Sequence, residues 1–229
     1  MIDLVAHLTA RLRRPLPGTA AHARFSPHPP RGGTFAREAP AHARQAAALI
    51  LLYPEAEAEA FAPSYAVPLT VRRSDLPDHA GQISLPGGRI DEGETAEAAA
   101  LREAAEEIGV DPSSVHIIGS LTPLYVMVSR FVITPFVGVA SARPNFQPAE
   151  REVAALIEAP LHQLRNPDNL HWGHRTREGY LVDFPYFSLP DPSAPPGHAT
   201  HQVWGATAMI LGEFISLIDE DFTPTERPR

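Results

Sequence analysis

Short apolar runs alternate with polar, proline-rich or glycine-rich connections along most of the chain. Runs of this length, bounded by turn residues, are typical of buried strands. The predicted strands occupy residues 46–53, 65–73, 82–85, 115–124, 130–139, 152–158 and 203–205, and a hairpin is predicted over 170–187. Pro68 lies inside the second run. Since proline cannot donate a ladder hydrogen bond, we expect that part of the strand at an edge or an entry position.

Helical spacing of apolar residues occurs in fewer places. The predicted helices cover residues 2–14, 95–108 and 206–217, with a short helical turn at 160–161. Strands interleaved with helices predict an α/β fold, in which a mixed sheet lies between helices as an α/β/α sandwich.

The expected domain organisation is simple. Residues 18–45 are rich in proline and show no period, which predicts a loop-rich arm. We expect residues 1–45, a helix and this arm, to belong to the same domain as residues 46–218. The charged segment 219–229 is expected to be a flexible tail.

The helix predicted over 95–108 carries three carboxylates at spacings of three and four, namely Glu103, Glu106 and Glu107. An α-helix advances about 100° per residue, so these side chains share one face and repel one another. A fold that keeps such a cluster is expected to place a cation among it, and hard oxygen ligands favour Mg²⁺ or Mn²⁺. The alternative is a solvated acidic helix without a bound ion.

Another face of the same helix carries an apolar stripe, made of Ala98, Leu101, Ala105 and Ile108. This spacing predicts the side that packs on the domain, with the carboxylates pointing away from it. On this interpretation Glu107→Gln removes most activity and leaves folding intact. The following Gly109 is predicted to end the helix in the left-handed conformation.

Composition narrows the classes of function. The 229 residues carry a formal net charge of −8 and no cysteine. An acidic balance argues against a nucleic-acid-wrapping surface and gives no support for membrane binding. The absence of cysteine excludes disulfides and thiol chemistry and suits a reducing compartment, so we expect a cytoplasmic protein. No apolar run approaches the roughly 20 residues of a membrane span.

Residues 88–110 resemble the Nudix box, G-x5-E-x7-R-E-U-x-E-E-x-G-U, where U is a bulky apolar residue. The matching positions are Gly88, Glu94, Arg102, Glu103, Glu106, Glu107, Gly109 and Val110. Ala104 is smaller than the pattern prefers. The resemblance implies a Nudix-like fold and hydrolysis of a nucleoside diphosphate linked to another moiety, with Mg²⁺ or Mn²⁺ as cofactor.

The resemblance also implies roles for box residues. Glu103 and Glu107 correspond to metal ligands, with Glu106 beside them, and Glu103, Glu106 and Arg102 are the catalytic candidates. One of these glutamates, or a hydroxide held by the metal, would activate water, and the base stays unassigned. Arg102 is expected to orient carboxylates by ion pairing, with Glu94 as a candidate partner.

The preceding Gly87 and Gly88 are expected to let the backbone approach metal and phosphate closely, as part of the substrate site.

Residues 69–88 resemble a second signature, that of the coenzyme A pyrophosphatase branch. The matching positions are Leu69, Thr70, Arg72, Leu76, His79, Gly81 and Gln82. Arg73 replaces the usual serine, and Leu85 stands where phenylalanine is commoner. Residues 152–161 and 204–208 resemble later segments of the same branch. The resemblance implies cleavage of coenzyme A (CoA) to 3′,5′-ADP and 4′-phosphopantetheine.

Arg72 and Gln82 are candidate substrate contacts, because CoA carries a 3′-phosphate that a guanidinium would recognise. Their alternatives are a solvent-facing arginine and a loop-ordering amide. Trp172 and Trp204 are interpreted as packing residues, although Trp172 could stack on adenine.

Two rival functions stay open: a Nudix hydrolase of ADP-ribose, NADH or a nucleoside triphosphate, and a non-catalytic Nudix-like sensor. We expect a small-molecule nucleotide partner, no nucleic acid and no membrane. A homodimer is compatible with the surface of the arm and the hairpin.

Overall fold

The computed structural model describes residues 3–30, 39–55, 64–73, 75, 81–177, 179–191, 200–224 and 227. Within these ranges the helices are α1 Leu4–Leu12, α2 Thr19–Arg24, α3 Ala96–Ile108, α4 Leu161–Leu164 and α5 Ala206–Ser216. The strands are β1 Arg44–Pro54, β2 Tyr65–Arg72, β3 Ile83–Ser84, β4 Gly87–Arg89, β5 Val115–Ser120, β6 Leu124–Val126, β7 Phe131–Ala140, β8 Val153–Pro160, β9 Leu170–Arg177, β10 Tyr180–Pro190 and β11 Thr200–Trp204. Across these residues, no helix combines the length and apolar composition that a bilayer span requires.

The larger sheet has the strand order β3-β2-β1-β7-β5, with β4 paired to β1, β6 to β7 and β8 to β2. Its centre is the parallel pair of β1 and β7, and the other pairs are antiparallel. The sheet is therefore mixed, and the predicted α/β class is confirmed. Strands β9, β10 and β11 form a second, antiparallel sheet, whose first two strands are the predicted hairpin.

Strand β1 separates two hydrophobic clusters because its side chains alternate between the faces of the sheet. Ala48, Ile50 and Leu52 enter the cluster that contains α5. The intervening Ala47, Leu49, Leu51 and Tyr53 enter the cluster that contains α3. Two buried faces explain why this strand reads as an uninterrupted apolar run. The result is a helix layer on each side of the sheet.

The predicted loop-rich arm contains a helix, so that part of the prediction is wrong. Helix α2, Thr19–Arg24, is largely alanine, which favours helix, but its six residues are too few to establish a period. It delivers Phe25 to the core, where its ring stacks on Phe187 at 5.5 Å and on Phe222 at 6.1 Å between centroids. Residues 31–38 of the arm lie outside the described residues.

Buried Glu213, on α5, joins the N-terminal segment to the C-terminal helix. Its carboxylate accepts hydrogen bonds from Gly18 N (2.9 Å) and Thr122 N (3.2 Å), and from the Thr122 hydroxyl (2.6 Å). A fourth contact, at 2.8 Å, is made with Nε2 of buried His22. A buried carboxylate is tolerated only when it is paired in this way.

Pro68 lies where β2 is paired on one side only. On that side Pro68 is opposite Glu158 of β8. On the other side Tyr65 and Ala66 pair with β1, Thr70 and Val71 pair with β3, and Pro68 falls between them. The proline therefore lies at a local edge of the strand, as predicted.

Candidate active site

The site is built where β4 turns into α3. Strand β4 lies against the central strand, with Gly88 opposite Ala47. Helix α3 starts at Thr95, whose side chain accepts a hydrogen bond from Ala98 N at 3.2 Å. It ends at Gly109, whose φ of 72° places it in the left-handed conformation, as predicted. The cap and the glycine fix both ends of the helix, so its side chains face the strand–loop junction in a defined register.

The buried face of α3 differs from the prediction. The buried residues are Ala99, Ala100, Ala104, Glu107 and Ile108. Of the predicted stripe only Ile108 is buried, whereas Ala98 is exposed and Leu101 and Ala105 are half-buried. Alanines occur on several faces of this helix, so the apolar period fits more than one stripe.

The three less buried residues of the predicted stripe, Ala98, Leu101 and Ala105, line a shallow cavity of about 600 Å³ together with Pro112. This cavity lies beside Arg102 and Glu106. Glu107 lies on the packed side of the helix, so the reason given for intact folding of Glu107→Gln was wrong.

Glu107 is 8 % exposed and accepts a hydrogen bond from Gly87 N at 3.2 Å. Burial, together with the negative charges of Glu103 and Glu152, raises its pKa to about 7. The Gly87 N–H and the Arg72 guanidinium oppose this rise. Without a cation, this carboxylate is therefore costly to ionise.

Glu103 is the second carboxylate at this junction, and its side chain is 16 % exposed. Burial raises its pKa, as do the charges of Glu106 and Glu152, while Arg102 lowers it. Its carboxyl group occupies the space that a side chain at Gly88 would fill, since a Cβ there would lie 2.5 Å from Cδ of Glu103. Gly88 therefore acts as a cradle for the Glu103 carboxylate.

Arg102 holds three glutamates at once. Its Nε and Nη2 donate to Glu94 at 2.9 and 3.1 Å, so the predicted pairing is present. Its Nη1 donates to Glu103 at 2.9 Å and to Glu106 at 3.2 Å, and Nη2 also reaches the Arg89 carbonyl at 3.0 Å. The guanidinium thereby fixes the orientation of the Glu103 carboxylate.

The three box glutamates do not meet at one point. Glu106 is 51 % exposed and turned toward Arg102. In the part of the chain that the structure describes, no three histidine, aspartate or glutamate side chains converge as a preformed metal site. Glu103 and Glu107 nevertheless fit a hard divalent cation, because both are oxygen donors whose pKa values stay raised despite the nearby arginines. Glu106, like Glu103, accepts a hydrogen bond from Nη1 of Arg102.

Glu152 is a site residue that sequence reasoning missed. It precedes β8, and its side chain is 40 % exposed and pairs with Arg151 at 3.1 Å. Its negative charge raises the pKa of both Glu103 and Glu107, so it lies within electrostatic range of them. The sequence places Glu152 far from the box and gives no spacing rule that connects the two. Only the tertiary fold brings these carboxylates together.

Arg72 ends β2 at a β-bulge, and its charge lowers the pKa of Glu107. Its backbone N–H donates to the Gln82 carbonyl at 2.9 Å, so the two predicted substrate residues are neighbours. His79 lies outside the described residues. Leu85 is buried in the core.

Trp204 packs as predicted, 5.2 Å from Phe184 between ring centroids and under the Arg175 guanidinium at 4.2 Å.

Comparison with known proteins agrees with this geometry. The family model of the NUDIX domain matches residues 43–177. The uncharacterized Nudix hydrolase NudL of Pectobacterium atrosepticum is 46 % identical over 96 residues, which are 42 % of this chain and 50 % of that protein. The NudL of Yersinia enterocolitica is 35 % identical over 147 residues, 62 % of this chain and 69 % of that protein.

Among solved structures, the Nudix hydrolase RenU from M. smegmatis has a TM-score of 0.44 and 25 % identity, over 52 % of this chain and 72 % of that one. The alignment spans about half the length of the Pectobacterium relative. The NUDIX model covers more than half of this chain, and the box residues lie at a strand–helix junction. The chain belongs to the Nudix family.

Proposed function

We propose that this protein is a metal-dependent hydrolase of a pyrophosphate bond, with CoA or acyl-CoA as substrate and 3′,5′-ADP and 4′-phosphopantetheine as products. The observation that carries the proposal is the pair of buried Glu107 and half-buried Glu103, two carboxylates with raised pKa values on the strand–helix junction. A pyrophosphate is a dense anion, so such a pair would repel it without a cation between them.

The chain would supply the ligands and their orientation. Glu103 and Glu107 would hold Mg²⁺ or Mn²⁺, which supplies positive charge against the pyrophosphate oxygens when bound. Arg102 fixes the Glu103 carboxylate, and the Gly87 N–H fixes that of Glu107. Preset orientation lowers the reorganisation that the reaction would otherwise require.

The attacking water must also lose a proton. Among the described carboxylates of this site, Glu106 and Glu152 are the more exposed, at 51 % and 40 % of the side chain. An exposed carboxylate beside the ligands can exchange a proton with solvent, so we assign the base to one of these two. Glu106→Gln and Glu152→Gln separate them, because loss of the base lowers kcat at saturating metal ion.

The substrate assignment rests on the resemblance of residues 69–88 to the CoA signature and on the position of Arg72. The Arg72 charge acts on Glu107, so a phosphate near this end of β2 would lie close to the carboxylate pair. Arg73 is already bound to Asp75 and to the Glu150 carbonyl. Arg72 is the candidate for the 3′-phosphate, because its charge acts at the carboxylate pair and its position matches the signature.

The test is hydrolysis by the purified protein, with Mg²⁺ or Mn²⁺, of CoA, acyl-CoA, ADP-ribose, NADH and nucleoside triphosphates, followed by chromatography. Release of 3′,5′-ADP from CoA supports the proposal. Turnover of ADP-ribose with CoA inert would refute the substrate. Binding of ligand without any turnover would favour the sensor.

A paired substrate isolates Arg72. Arg72→Ala is expected to raise KM for CoA by about 10-fold, because a charge-assisted contact is lost, and to leave KM for dephospho-CoA unchanged. The exposed Arg24→Ala is the matched control. An equal rise for both substrates would show that Arg72 does not read the 3′-phosphate.

A cytoplasmic location, a homodimer and the absence of nucleic-acid or membrane partners stay predictions. Light scattering after size exclusion measures the oligomeric state.

A further inference from the structure

The 147–152 segment, which leads into β8, is attached to the end of α3. The backbone N–H groups of Gln147 and Ala149 donate to carbonyls of the last helical turn at 2.9 and 2.8 Å, the second of them to Glu107. The packing is close, because a Cβ at Gly109 would lie 2.8 Å from Cβ of Gln147. The first half of the segment is therefore fixed to the backbone of a site residue.

Arg73 attaches the second half. Its Nη1 donates to the Glu150 carbonyl at 2.9 Å, and its backbone N–H donates to the Glu152 carbonyl at 3.1 Å. Asp75 accepts from Nε and Nη2 at 2.9 and 2.7 Å, which sets the plane of the guanidinium. Arg73 therefore connects the end of β2 to the residues on both sides of Arg151.

We infer that Arg73 is a positioning residue, which fixes the 147–152 segment so that the Glu152 carboxylate stays beside Glu103 and Glu107. This inference rests on the proposed function, since the three carboxylates share a task only if a divalent cation binds there. Glu152 is drawn outward by its pair with exposed Arg151. Without the Arg73 guanidinium the Glu150 carbonyl loses its donor, and only backbone bonds to Ala149 and Arg73 then hold Glu152 against that pull.

The chemistry of position 73 supports this role. The CoA signature has serine here, and a serine hydroxyl carries one donor on a short side chain. A guanidinium carries five N–H donors in a rigid fork, so it can bind Asp75 with two of them and still reach the Glu150 carbonyl. The departure from the signature therefore adds a bridge that serine could not make.

A direct contact with substrate is the competing explanation, because the Arg73 side chain is 42 % exposed. The two explanations differ in the absence of substrate. A positioning residue acts on the carboxylates themselves and changes their affinity for a metal ion. A substrate contact changes KM and leaves metal affinity as it was.

The experiment is a double-mutant cycle on Mn²⁺ affinity, measured by electron paramagnetic resonance of the unbound ion on the substrate-free, full-length protein. Glu152→Gln is expected to weaken Mn²⁺ binding by about 10-fold, and Arg73→Ala by about 5-fold. These values lie at or below the low end of the affinity losses caused by mutating residues that hold metal ligands in place. Because Arg73 acts through Glu152, Arg73→Ala in the Glu152→Gln background is expected to add less than about 2-fold. Arg73→Lys keeps a donor for the Glu150 carbonyl and should recover part of the affinity.

Two further variants serve as controls for this experiment. Arg165, just after α4, makes a similar bidentate pair with Asp219 and is about as exposed as Arg73, so Arg165→Ala is expected to leave Mn²⁺ affinity unchanged. Asp75→Asn weakens the contact that orients the guanidinium and leaves Arg73 itself unchanged. It should lower Mn²⁺ affinity, but by less than Arg73→Ala does. It provides the same test if Arg73→Ala does not fold.

The inference would be overturned if Arg73→Ala lowered Mn²⁺ affinity equally in the wild-type and the Glu152→Gln backgrounds. Wild-type Mn²⁺ affinity in Glu152→Gln would also overturn it. Failure of the proposed function is a separate result. A protein with the expected Mn²⁺ coupling that cleaves none of the tested pyrophosphate substrates supports the positioning role and refutes the hydrolase. A protein that cleaves CoA without this coupling supports the hydrolase and overturns the positioning role.

Discussion

Gly88→Ala tests the assignment of Glu103 as a metal ligand. The backbone at Gly88 does not have a positive φ, so alanine is tolerated there. The added Cβ would lie 2.5 Å from Cδ and Oε1 of Glu103 and 2.6 Å from Oε2. The obstacle is the end of a flexible side chain, so we expect the carboxylate to move and the fold to persist.

The required movement follows from these distances. Ordinary contact begins at 3.4 Å, so a carboxylate met at 2.5 Å must retreat by about 1 Å. Mg²⁺ demands ligand distances of about 2.0–2.1 Å, so a ligand displaced by 1 Å is lost. We expect Mn²⁺ or Mg²⁺ affinity to fall at least 10-fold, which corresponds to about 1.4 kcal/mol. The rate of CoA hydrolysis is expected to fall about 100-fold.

Calorimetric titration with Mn²⁺, the hydrolysis rate and thermal unfolding together make the assay. Gly87→Ala is the matched control, because its Cβ would meet the Ala47 carbonyl and would lie 2.7 Å from Cα of Ala48, both on the backbone of the central strand. That backbone cannot yield, so Gly87→Ala should lose stability, whereas Gly88→Ala should lose metal. Wild-type Mn²⁺ affinity in a folded Gly88→Ala protein would refute Glu103 as a ligand.

Three further predictions concern stability. In the metal-free protein the pKa of Glu107 is raised from 4.5 to about 7, so the free energy of unfolding should fall by up to about 3 kcal/mol as pH rises from 4.5 to 7. Glu107→Gln should remove this fall in urea unfolding, and an unchanged pH slope would contradict it. Glu213→Ala leaves His22 and its neighbours without their acceptor, at a cost of about 3–5 kcal/mol in the same assay; a loss under 1 kcal/mol would contradict the network's role. Gly212→Ala drives a methyl group into the Phe25 ring and should cost about 1–3 kcal/mol, and an unchanged melting temperature would refute that contact.

Local chemistry explains where sequence reasoning succeeded. The ends of α3 were predictable because Thr95 caps one end and Gly109 requires the left-handed conformation at the other. The central strand was predictable because both of its faces are buried. The pairing of Arg102 with Glu94 followed from the box.

The failures have a different physical origin. The buried face of α3 could not be chosen, because alanine marks neither a core face nor a solvent face. Glu152 was missed because its approach to Glu103 depends on how the 147–152 segment is held. The engagement of Arg73 with that segment is likewise a tertiary contact. Sequence spacing reports neighbours along a helix or a strand, and these contacts join separate elements.

The Glu213 network also has a consequence for the order of folding. It joins groups 191 and 195 residues apart along the chain, and Leu8, Phe25 and the residues of α5 line one face of the larger sheet. The stretch 43–177 that matches the NUDIX model includes neither flank. During synthesis that face lacks the apolar side chains of α5 until this helix has left the ribosome. A fragment limited to 43–177 would also lack Leu8 and Phe25, so it should expose apolar surface and aggregate.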